Sequence, residues 1–489
     1  MRHLSELLVE RARAEGDRVA ILAPDGESVS FAELHRRVSR RAGALAALGL
    51  PPGARIVLLQ PMGIALYEVL LALFHGGYTA VLVDPSVGLR RVGGALAAVG
   101  VDGLIGTGKA HALRLLLPAL RGGRLYASTS WTPLPARRWS SLSGPRVDPV
   151  APPGPALITF TSGTTGVPAP FPRDHSFLLA QHQVLAGHMG LGPGDVDLPT
   201  LPVFLLNSLA AGATCVLPDG DLRDVSALDP ARLVRQIRAH RVTTTSGSPA
   251  YFERLVRHLE GEGAQLAGLD KVFVGGARVS AALLRRMCAA FPAARVELVY
   301  GSTEAEPIAT LSAREHLDAL SAGERDGRGA LVGRQVPGLA LRIARPDGSP
   351  LDERGPGAVG EVLVAGDHVN TAVTPGREDK LREGARVWHR TGDAGWRDDS
   401  GLVWLVGRVG QDVAGRWPFQ VEPLAEAVAG VRRAALVEHL GQPLLAWEGD
   451  ADDQEVRAAV GLVTRRLPAI PVDPRHRAKV DRRALRALL

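Results

Sequence analysis

Residues 157–168 read Leu-Ile-Thr-Phe-Thr-Ser-Gly-Thr-Thr-Gly-Val-Pro, so an apolar run typical of a β-strand leads directly into a loop of glycine and hydroxyl residues. Gly163 and Gly166 allow the main chain to turn tightly and to bring its N–H groups close to an anion. Hydroxyl donors surround these glycines, at Thr161, Ser162, Thr164 and Thr165. No Gly-Lys-Ser/Thr sequence closes the loop, which excludes a Walker A motif. The stretch therefore predicts a phosphate-binding loop rather than a linker rich in serine, threonine and glycine.

Three further motifs follow along the chain. Counting the loop as the first signature, the second is Tyr-Gly-Ser-Thr-Glu at residues 300–304, and the third is Arg-Thr-Gly-Asp at residues 390–393, followed by Gly407-Arg408. The fourth is Lys479, which is one of only four lysines in the sequence. Together with the loop, and in the same order, these motifs resemble the signatures of the adenylate-forming superfamily. That superfamily contains acyl- and aryl-CoA ligases, the adenylation domains of peptide synthetases, and luciferases.

The resemblance implies an enzyme that uses ATP and Mg²⁺ to activate a carboxylic acid as its acyl-adenylate. Loop 161–166 is then expected to bind the β- and γ-phosphates, and Glu304 to ligate Mg²⁺, a cation that prefers carboxylate and phosphate oxygens. Thr303 is expected to bind the α-phosphate and to act in catalysis. Gly301 and Ser302 belong to the same nucleotide-binding segment.

The resemblance also assigns residues to the nucleoside. Tyr300 is expected to lie against adenine, with Gly275-Gly276-Ala277 as a wall of the same pocket. Asp393 is expected to accept hydrogen bonds from both ribose hydroxyls, and Arg408 to contact ribose or phosphate. Lys479 falls where the family keeps its C-terminal catalytic lysine.

Each motif taken singly also fits a structural role. Tyr300-Gly301 fits a strand end with a turn, Glu304 fits a surface carboxylate, and Asp393 fits a turn residue. Lys479 lies in a basic segment, and its charge also fits a solvent-exposed lysine without a catalytic role. Their joint occurrence in family order favours the functional interpretation.

Two segments depart from the family pattern. Pro168 is followed by Ala169-Pro170, where the family usually has lysine and glycine, and Arg173 is the nearby cation that could replace that lysine. Residues 409–412, Val-Gly-Gln-Asp, replace an acidic pair in the segment that joins the two domains. These changes leave open a nucleotide- or acyl-binding homologue without turnover.

Other stretches resemble the β-lactone synthetases of bacterial olefin biosynthesis, among them residues 198–206, 304–308 and 387–390. This resemblance implies a β-hydroxy aliphatic acid that is adenylated and then closes to a β-lactone with release of AMP. Transfer of the acyl group to the thiol of CoA or a carrier protein is the alternative. His389 is a candidate catalytic residue, although His389 and Trp388 also fit core positions.

Composition limits the other possibilities. The net charge is +6 and the pI is about 9.7, but the arginines are scattered among acidic residues, so no nucleic-acid partner is expected. Cys215 and Cys288 are expected to be buried free thiols. No apolar run suits a membrane span and the first ten residues do not suit a signal peptide, so a cytoplasmic enzyme is expected. Its expected partners are a small-molecule carboxylic acid and other enzymes of its pathway.

Alternating helical and strand patterns predict an α/β fold of parallel sheets covered by helices. The pattern predicts a helix from Phe31 capped by Ser30, and strands at 55–59, 79–83 and 271–274. Residues 336–407 become short strands, which predicts a small antiparallel barrel. We predict an N-terminal domain of residues 1–409 and a small, mobile α+β domain of residues 410–489, with its last helix at 453–467.

Overall fold

The computed structural model describes residues 3–151, 154–161, 169–221, 224–373, 378–472 and 480–489. Within it the chain forms two compact units. The first unit comprises residues 1–219 with 372–377, and the second comprises residues 220–371 with 378–489. The predicted boundary between residues 409 and 410 falls inside the second unit and stays a prediction.

The first unit alternates helices and strands in the predicted α/β manner. Its elements are α1 (Leu4–Ala14), β1 (Val19–Leu22), β2 (Ser28–Ser30), α2 (Phe31–Ala47), β3 (Arg55–Leu59), α3 (Ile64–His75), β4 (Thr79–Leu82), α4 (Leu89–Val99), β5 (Gly103–Gly106), α5 (Gly108–His111), α6 (Leu113–Leu116), β6 (Leu125–Ser128), β7 (Arg137–Arg138), β8 (Leu157–Thr161), β9 (Ala169–Arg173), α7 (His175–Met189), β10 (Val196–Pro199), α8 (Pro202–Ala211) and β11 (Thr214–Val216). The predicted cap of α2 is confirmed, because the Ser30 hydroxyl accepts a hydrogen bond from the Glu33 N–H.

The main sheet of this unit has the order β7-β6-β5-β3-β4-β8-β9. All neighbouring strands in it are parallel except β9, which returns antiparallel to β8. A second group contains the parallel neighbours β10, β11 and β1, with β2 antiparallel to β1. Helices α2 and α3 bury apolar side chains in the core of the unit, among them Phe31, Leu34, Tyr67 and Phe74. Parallel sheets need such cover because strand-crossover-strand connections place helices on their faces.

Buried imidazoles are a second feature of the first unit. The rings of His3 and His175 lie with centroids 3.7 Å apart, and the Leu4 N–H donates to His175 Nδ1 over 3.4 Å. Both histidines are almost fully buried. Burial, with a smaller contribution from His3, lowers the pKa of His175 to about 3. Because His175 is the first residue of α7, the positive end of the helix dipole also disfavours its protonation.

The second unit begins with a parallel α/β part, continues as antiparallel strands and ends in a small α+β part. Its elements are α9 (Pro230–Ala239), β12 (Thr244–Gly247), α10 (Pro249–Glu262), β13 (Lys271–Gly275), α11 (Ala281–Ala290), β14 (Arg295–Ser302), β15 (Ala305–Ser312), α12 (Ala313–Arg325), β16 (Ala330–Gln335), β17 (Ala340–Ala344), β18 (Gly360–Ala365), β19 (Lys380–Glu383), β20 (Arg386–Arg397), β21 (Val403–Arg408), α13 (Pro418–Glu426), β22 (Val431–His439), β23 (Gln442–Gly449), α14 (Asp453–Val460), β24 (Val463–Arg466) and α15 (Arg482–Leu488).

Strands β12, β13 and β14 are parallel neighbours, and the strands that follow them are antiparallel. Their order continues from β14 through β15, β16, β21, β20 and β18 to β17, with β19 paired to β20. The antiparallel character predicted for residues 336–407 is confirmed. This region matters for function, because it carries the third signature on β20 and β21.

The C-terminal part contains the antiparallel pair β22–β23, with β24 parallel to β23. Trp447, Leu445 and Val421 contribute to its core. The predicted helix of residues 453–467 was too long. Helix α14 ends at Val460 because Gly461 adopts a left-handed conformation, with φ 63°, and residues 463–466 then form β24.

Ion pairs connect the segment after β13 to helix α13. The guanidinium of Arg278 contacts the carboxylates of Glu426 and Glu324, and the second of these contacts measures 3.8 Å. Arg482 pairs with the buried Glu422, whose Oε1 also accepts the Leu436 N–H over 3.0 Å.

The structure also describes the two cysteines and the hydropathy of the helices. Cys215 and Cys288 are free and buried, as predicted. Among the helices that the structure describes, none is both long enough and apolar enough to cross a membrane.

Candidate active site

The carboxyl ends of β12, β13 and β14 carry the second signature and its predicted neighbours. The ends of parallel strands meet at one edge of a sheet, and this edge is the usual ligand-binding edge of α/β proteins. Gly275 ends β13 and pairs with Val299 of the neighbouring strand β14. Tyr300 directly follows Val299, near the end of β14. The sheet therefore brings residues 275–277 next to residues 300–304.

Thr303 and Glu304 are the two residues of a tight turn between β14 and β15. The turn is closed by the pair Ser302↔Ala305, and the main-chain carbonyl of Glu304 accepts the Asn370 N–H over 2.8 Å. Paired strands on both sides thus support the residues predicted to bind the α-phosphate and Mg²⁺. The Thr303 side chain is exposed, which suits a residue that must reach a ligand.

Asp393 is held by two partners that were predicted to share its site. The Tyr300 hydroxyl donates to Asp393 Oδ2 over 2.7 Å, and Arg408 Nη1 donates to Asp393 Oδ1 over 2.8 Å. Asp393 and Arg408 are directly opposite each other in the antiparallel pair β20–β21. The second and third signatures therefore meet at one carboxylate.

This carboxylate keeps capacity for further hydrogen bonds. An ionised carboxylate offers about four acceptor positions, of which Tyr300 and Arg408 use two, so two remain for a diol such as ribose. Burial, followed by the neighbouring Asp393 carboxylate, raises the pKa of the Tyr300 phenol well above its ordinary value. Tyr300 therefore stays a donor to Asp393 across the physiological pH range.

The loop before Asp393 is fixed by its own hydrogen bonds. Thr391 Oγ1 accepts the Asp393 N–H over 3.0 Å and donates to the Val362 carbonyl over 2.8 Å. Gly392 has φ 71°, and a Cβ at that position would lie 2.8 Å from Arg408 Nη2. Glycine at position 392 therefore suits both the left-handed backbone conformation and the close approach of Arg408.

Position 275 also requires glycine, because the main chain of a neighbouring strand passes close to it. A Cβ there would lie 2.4 Å from the Val299 carbonyl oxygen, so only glycine lets β13 approach β14 this closely. Gly276 follows with φ 86°, in the left-handed region that favours glycine. Gly276 and Ala277 directly follow the end of β13, and the segment 275–277 is partly exposed.

His389 is buried on β20, and its Nδ1 lies 2.8 Å from Lys380 Nζ and 3.2 Å from the Asp379 carbonyl oxygen. Burial, with a smaller effect of Lys380, lowers the pKa of His389 to about 4. Trp388 is also buried, and its Nε1 donates to Glu383 Oε2 over 2.9 Å. Trp388 thus has a structural role, whereas His389 lies in a polar cluster.

Asp379 and Lys380 were missed in the sequence interpretation. The scarcity of lysine was the available signal, because Lys380 is one of four lysines and follows an aspartate directly. The register Lys380↔His389 that joins them is a property of the β19–β20 pair and is not visible in either segment alone.

Several predicted residues lie outside the described part of the chain. These are Lys479 and most of the phosphate loop: Ser162, Gly163, Thr164, Thr165 and Gly166. Thr161 is the last residue of β8, and its pairing with Ala169 closes the described part of the hairpin.

The suggestion that Arg173 replaces the missing lysine of the loop stays a prediction, and its position in the β8–β9 hairpin does not favour it. Arg173 pairs with Leu157 at the far end of the β8–β9 hairpin from the loop. Arg173 lies four positions along β9 from Ala169, which is about 13 Å. The Arg173 side chain is buried and lies 5.0 Å from the centroid of the Phe171 ring.

Comparison with known proteins gives the site its context. The model of the AMP-binding enzyme family matches residues 8–372, which is most of the chain. The chain belongs to the AMP-binding enzyme family. It is an adenylate-forming enzyme that activates carboxylic acids, in agreement with the resemblance of its four motifs.

This AMP-binding enzyme is 32% identical to an olefin β-lactone synthetase of Stenotrophomonas maltophilia, over 99% of this chain and 97% of that protein. The olefin β-lactone synthetase of Xanthomonas campestris pv. campestris is 31% identical over 99% and 96% of the two chains. Among solved structures, the amide bond synthetase McbA from Marinactinospora thermotolerans matches with a TM-score of 0.83 at 24% identity, over 99% of both chains. That likeness confirms the fold of the AMP-binding enzyme.

The residues of the site fit a nucleotide and its metal. Ser302 Oγ is buried and has no hydrogen-bond partner within the described residues, and such hydroxyls normally have one. The described chain contains no group of three or more His, Cys, Asp or Glu side chains that could hold a metal. A single carboxylate such as Glu304 suits Mg²⁺, which is commonly bound by one or two carboxylates together with substrate phosphates.

Proposed function

We propose that this AMP-binding enzyme adenylates a β-hydroxy aliphatic acid and closes the product to a β-lactone. The observation that carries the proposal is the identity of 31–32% to two olefin β-lactone synthetases over 99% of the chain. Both relatives are also covered almost completely, so the likeness includes the C-terminal region from residue 410 as well as the residues of the family model.

The geometry of the second unit supports the binding roles that we propose. Asp393, fixed by Tyr300 and Arg408, accepts hydrogen bonds from the ribose hydroxyls, and the buried Tyr300 ring provides an apolar surface for adenine. Thr303 and Ser302 contact phosphate. Mg²⁺, when bound by Glu304 and the phosphates, would neutralise negative charge during attack on the α-phosphate.

The remaining roles rest on residues outside the described chain. We assign phosphate binding to loop 161–166 and catalysis of adenylation to Lys479, on the small domain that we propose to begin at residue 410. A carboxylate oxygen of the acid forms the new bond to the α-phosphorus, and the bond to pyrophosphate breaks.

The second step needs no further substrate. The β-hydroxyl oxygen forms a bond to the activated carbonyl carbon, and the bond from that carbon to the AMP oxygen breaks with its electron pair on AMP. The hydroxyl proton passes to a base or to solvent. Because nucleophile and carbonyl belong to one molecule, the enzyme contributes chiefly orientation and exclusion of competing water.

The test is mass spectrometry of the products from ATP, Mg²⁺ and a long-chain β-hydroxy acid, with and without CoA. We expect a product that has the mass of the acid less one water, independent of CoA. The matched control is the same acid without its β-hydroxyl, which should release pyrophosphate but give no lactone. Pyrophosphate release from the hydroxy acid without any lactone would refute the closing step.

Transfer to a thiol is the second candidate. It is motivated by relatives such as the feruloyl-CoA synthase of Amycolatopsis, which is 29% identical over 88% of this chain. An acyl-CoA product that forms only when CoA is present would select this alternative. ATP binding without pyrophosphate release for any acid would instead identify a non-catalytic homologue.

A further inference from the structure

Neighbouring strands β19 and β20 bring three polar side chains together in a buried cluster. Lys380 Nζ lies 2.8 Å from His389 Nδ1 and 3.5 Å from Asp379 Oδ2. The side chains of Lys380 and His389 are only 6% and 4% exposed. Lys380 and His389 are direct cross-strand partners, so the sheet register itself fixes their contact.

The chemistry of the two groups decides where the imidazole proton lies. An ammonium group has only donors, so a charged Lys380 must donate to Nδ1, and His389 must then carry its proton on Nε2. The Asp379 carbonyl, 3.2 Å from Nδ1, would favour the other tautomer. The contact with Lys380 is the shorter one, and hydrogen bonds from a charged donor are about twice as strong as neutral ones.

The charges around the ring agree with a neutral imidazole beside a charged lysine. Burial and the Lys380 charge lower the pKa of His389, whereas the carboxylates of Glu304 and Asp379 act in the opposite direction with smaller effect. The Asp379 carboxylate, directly before Lys380 in the chain, lies 3.5 Å from the Lys380 amine and supplies a countercharge to it.

The Nε2 atom of the His389 ring is the nitrogen that takes no part in the hydrogen bonds described above. Both hydrogen bonds that the described residues form with His389 end at Nδ1. Strand β18 pairs with His389 at Val364, and the chain that follows β18 reaches the turn predicted to bind phosphate and Mg²⁺, where the Asn370 N–H donates to the Glu304 carbonyl. The acid to be adenylated must bring its carboxylate to the same place.

We propose that Lys380 is a positioning residue that keeps the proton of His389 on Nε2, where the N–H donates a hydrogen bond to a carboxyl or carbonyl oxygen of the bound acid. This inference rests on the proposed activation of a carboxylic acid but not on lactone closure. It assigns His389 the role of a hydrogen-bond donor that orients the carboxyl group of the acid rather than that of a general base, since a protonated Nε2 cannot accept a proton.

The first test is spectroscopic and independent of activity. In protein labelled with ¹⁵N-histidine, imidazole nitrogen shifts distinguish protonated from unprotonated nitrogen, and His389→Gln identifies the signals of residue 389. We expect a protonated Nε2 and an unprotonated Nδ1 near neutral pH, and a shift of the proton towards Nδ1 in Lys380→Met, where the Asp379 carbonyl remains as its partner. A protonated Nδ1 in the unaltered enzyme would overturn the proposal, even if the Lys380 variant fails to fold.

The second test uses pyrophosphate release with whichever acid the unaltered enzyme activates. Glutamine can place an amide N–H near the position of Nε2–H, whereas phenylalanine cannot donate. We therefore expect His389→Phe to lower kcat by about 10- to 100-fold, the effect of losing one orienting hydrogen bond to a charged group, and His389→Gln to retain most of it. The KM for ATP should change little in both variants.

A double variant separates positioning from a structural role. Lys380→Met should lower kcat in the presence of His389 but should have little further effect in the His389→Gln background, because an amide needs no tautomer to be fixed. Lys109→Met, an exposed lysine of the first unit, is the matched control and should leave kcat unchanged. Equal losses from Lys380→Met in both backgrounds would show that Lys380 does not act through His389.

Discussion

The buried His175 predicts an acid-sensitive first unit, and replacing it with asparagine tests this directly. The asparagine amide can still accept the Leu4 N–H that His175 Nδ1 accepts at 3.4 Å, but it cannot be protonated near pH 5. Burial lowers the pKa of native His175 to about 3, whereas an unfolded histidine titrates near its ordinary value of 6.5. The unfolded chain therefore binds a proton between these values that the native chain does not bind.

The magnitude follows from this difference. Stability falls as the pH drops below 6.5, and the loss continues until native His175 itself titrates near pH 3. At pH 5 the unfolded imidazole lies about 1.5 pH units below its pKa, which corresponds to about 2 kcal/mol at 1.36 kcal/mol per unit. The result depends little on the native pKa, provided that it stays well below 5.

The assay is urea unfolding at pH 8 and pH 5, followed by circular dichroism through the first transition. We expect the free-energy difference between His175→Asn and the unaltered protein to shift by about 2 kcal/mol in favour of the variant at pH 5. Gln183→Ala, at an exposed position of the same helix, is the control and should show no such shift. Equal differences at the two pH values would refute the reasoning, because His175 would then titrate alike in both states.

Three further changes test the site. Asp393→Ala should raise the KM for ATP by an amount equivalent to about 1–3 kcal/mol, measured by pyrophosphate release, and an unchanged KM would remove Asp393 from the ribose site. Lys479→Ala should abolish pyrophosphate release while circular dichroism stays unchanged, and a normal rate would exclude a catalytic role. Gly275→Ala should destabilise the second unit by about 1–3 kcal/mol in thermal unfolding, because its Cβ would lie 2.4 Å from the Val299 oxygen. Gly268→Ala, where the added atom meets nothing within 4 Å, should have little effect.

Local patterns predicted much of this fold from the sequence. The helix from Phe31 and the strand at residues 55–59 were found because capping and buried apolar runs are properties of neighbouring residues. The predicted helix of residues 453–467 failed because its pattern continued past Gly461, whose left-handed conformation ends the helix.

Pairing between distant segments was harder to predict. The contact of Tyr300 with Asp393 could be expected only because two family signatures were present, while the Lys380–His389 contact depends on a strand register that neither segment encodes alone. Arg173 was placed near the loop by counting residues, but the β8–β9 hairpin directs it to the opposite end.

The ion pairs of Arg278 have a consequence for the timing of the reaction cycle. Helix α13 shares its core with β22 and β23, through residues such as Val421 and Ala425. A swing of the terminal sheet that carries α13 along must separate Arg278 from Glu426, on the far side of the proposed boundary at residue 410. This contact can make the release of the Glu426 carboxylate, rather than the stiffness of the connecting segment, the slow event between successive chemical steps. Evolution could then adjust the speed of the enzyme by substitutions that leave the residues around ATP untouched.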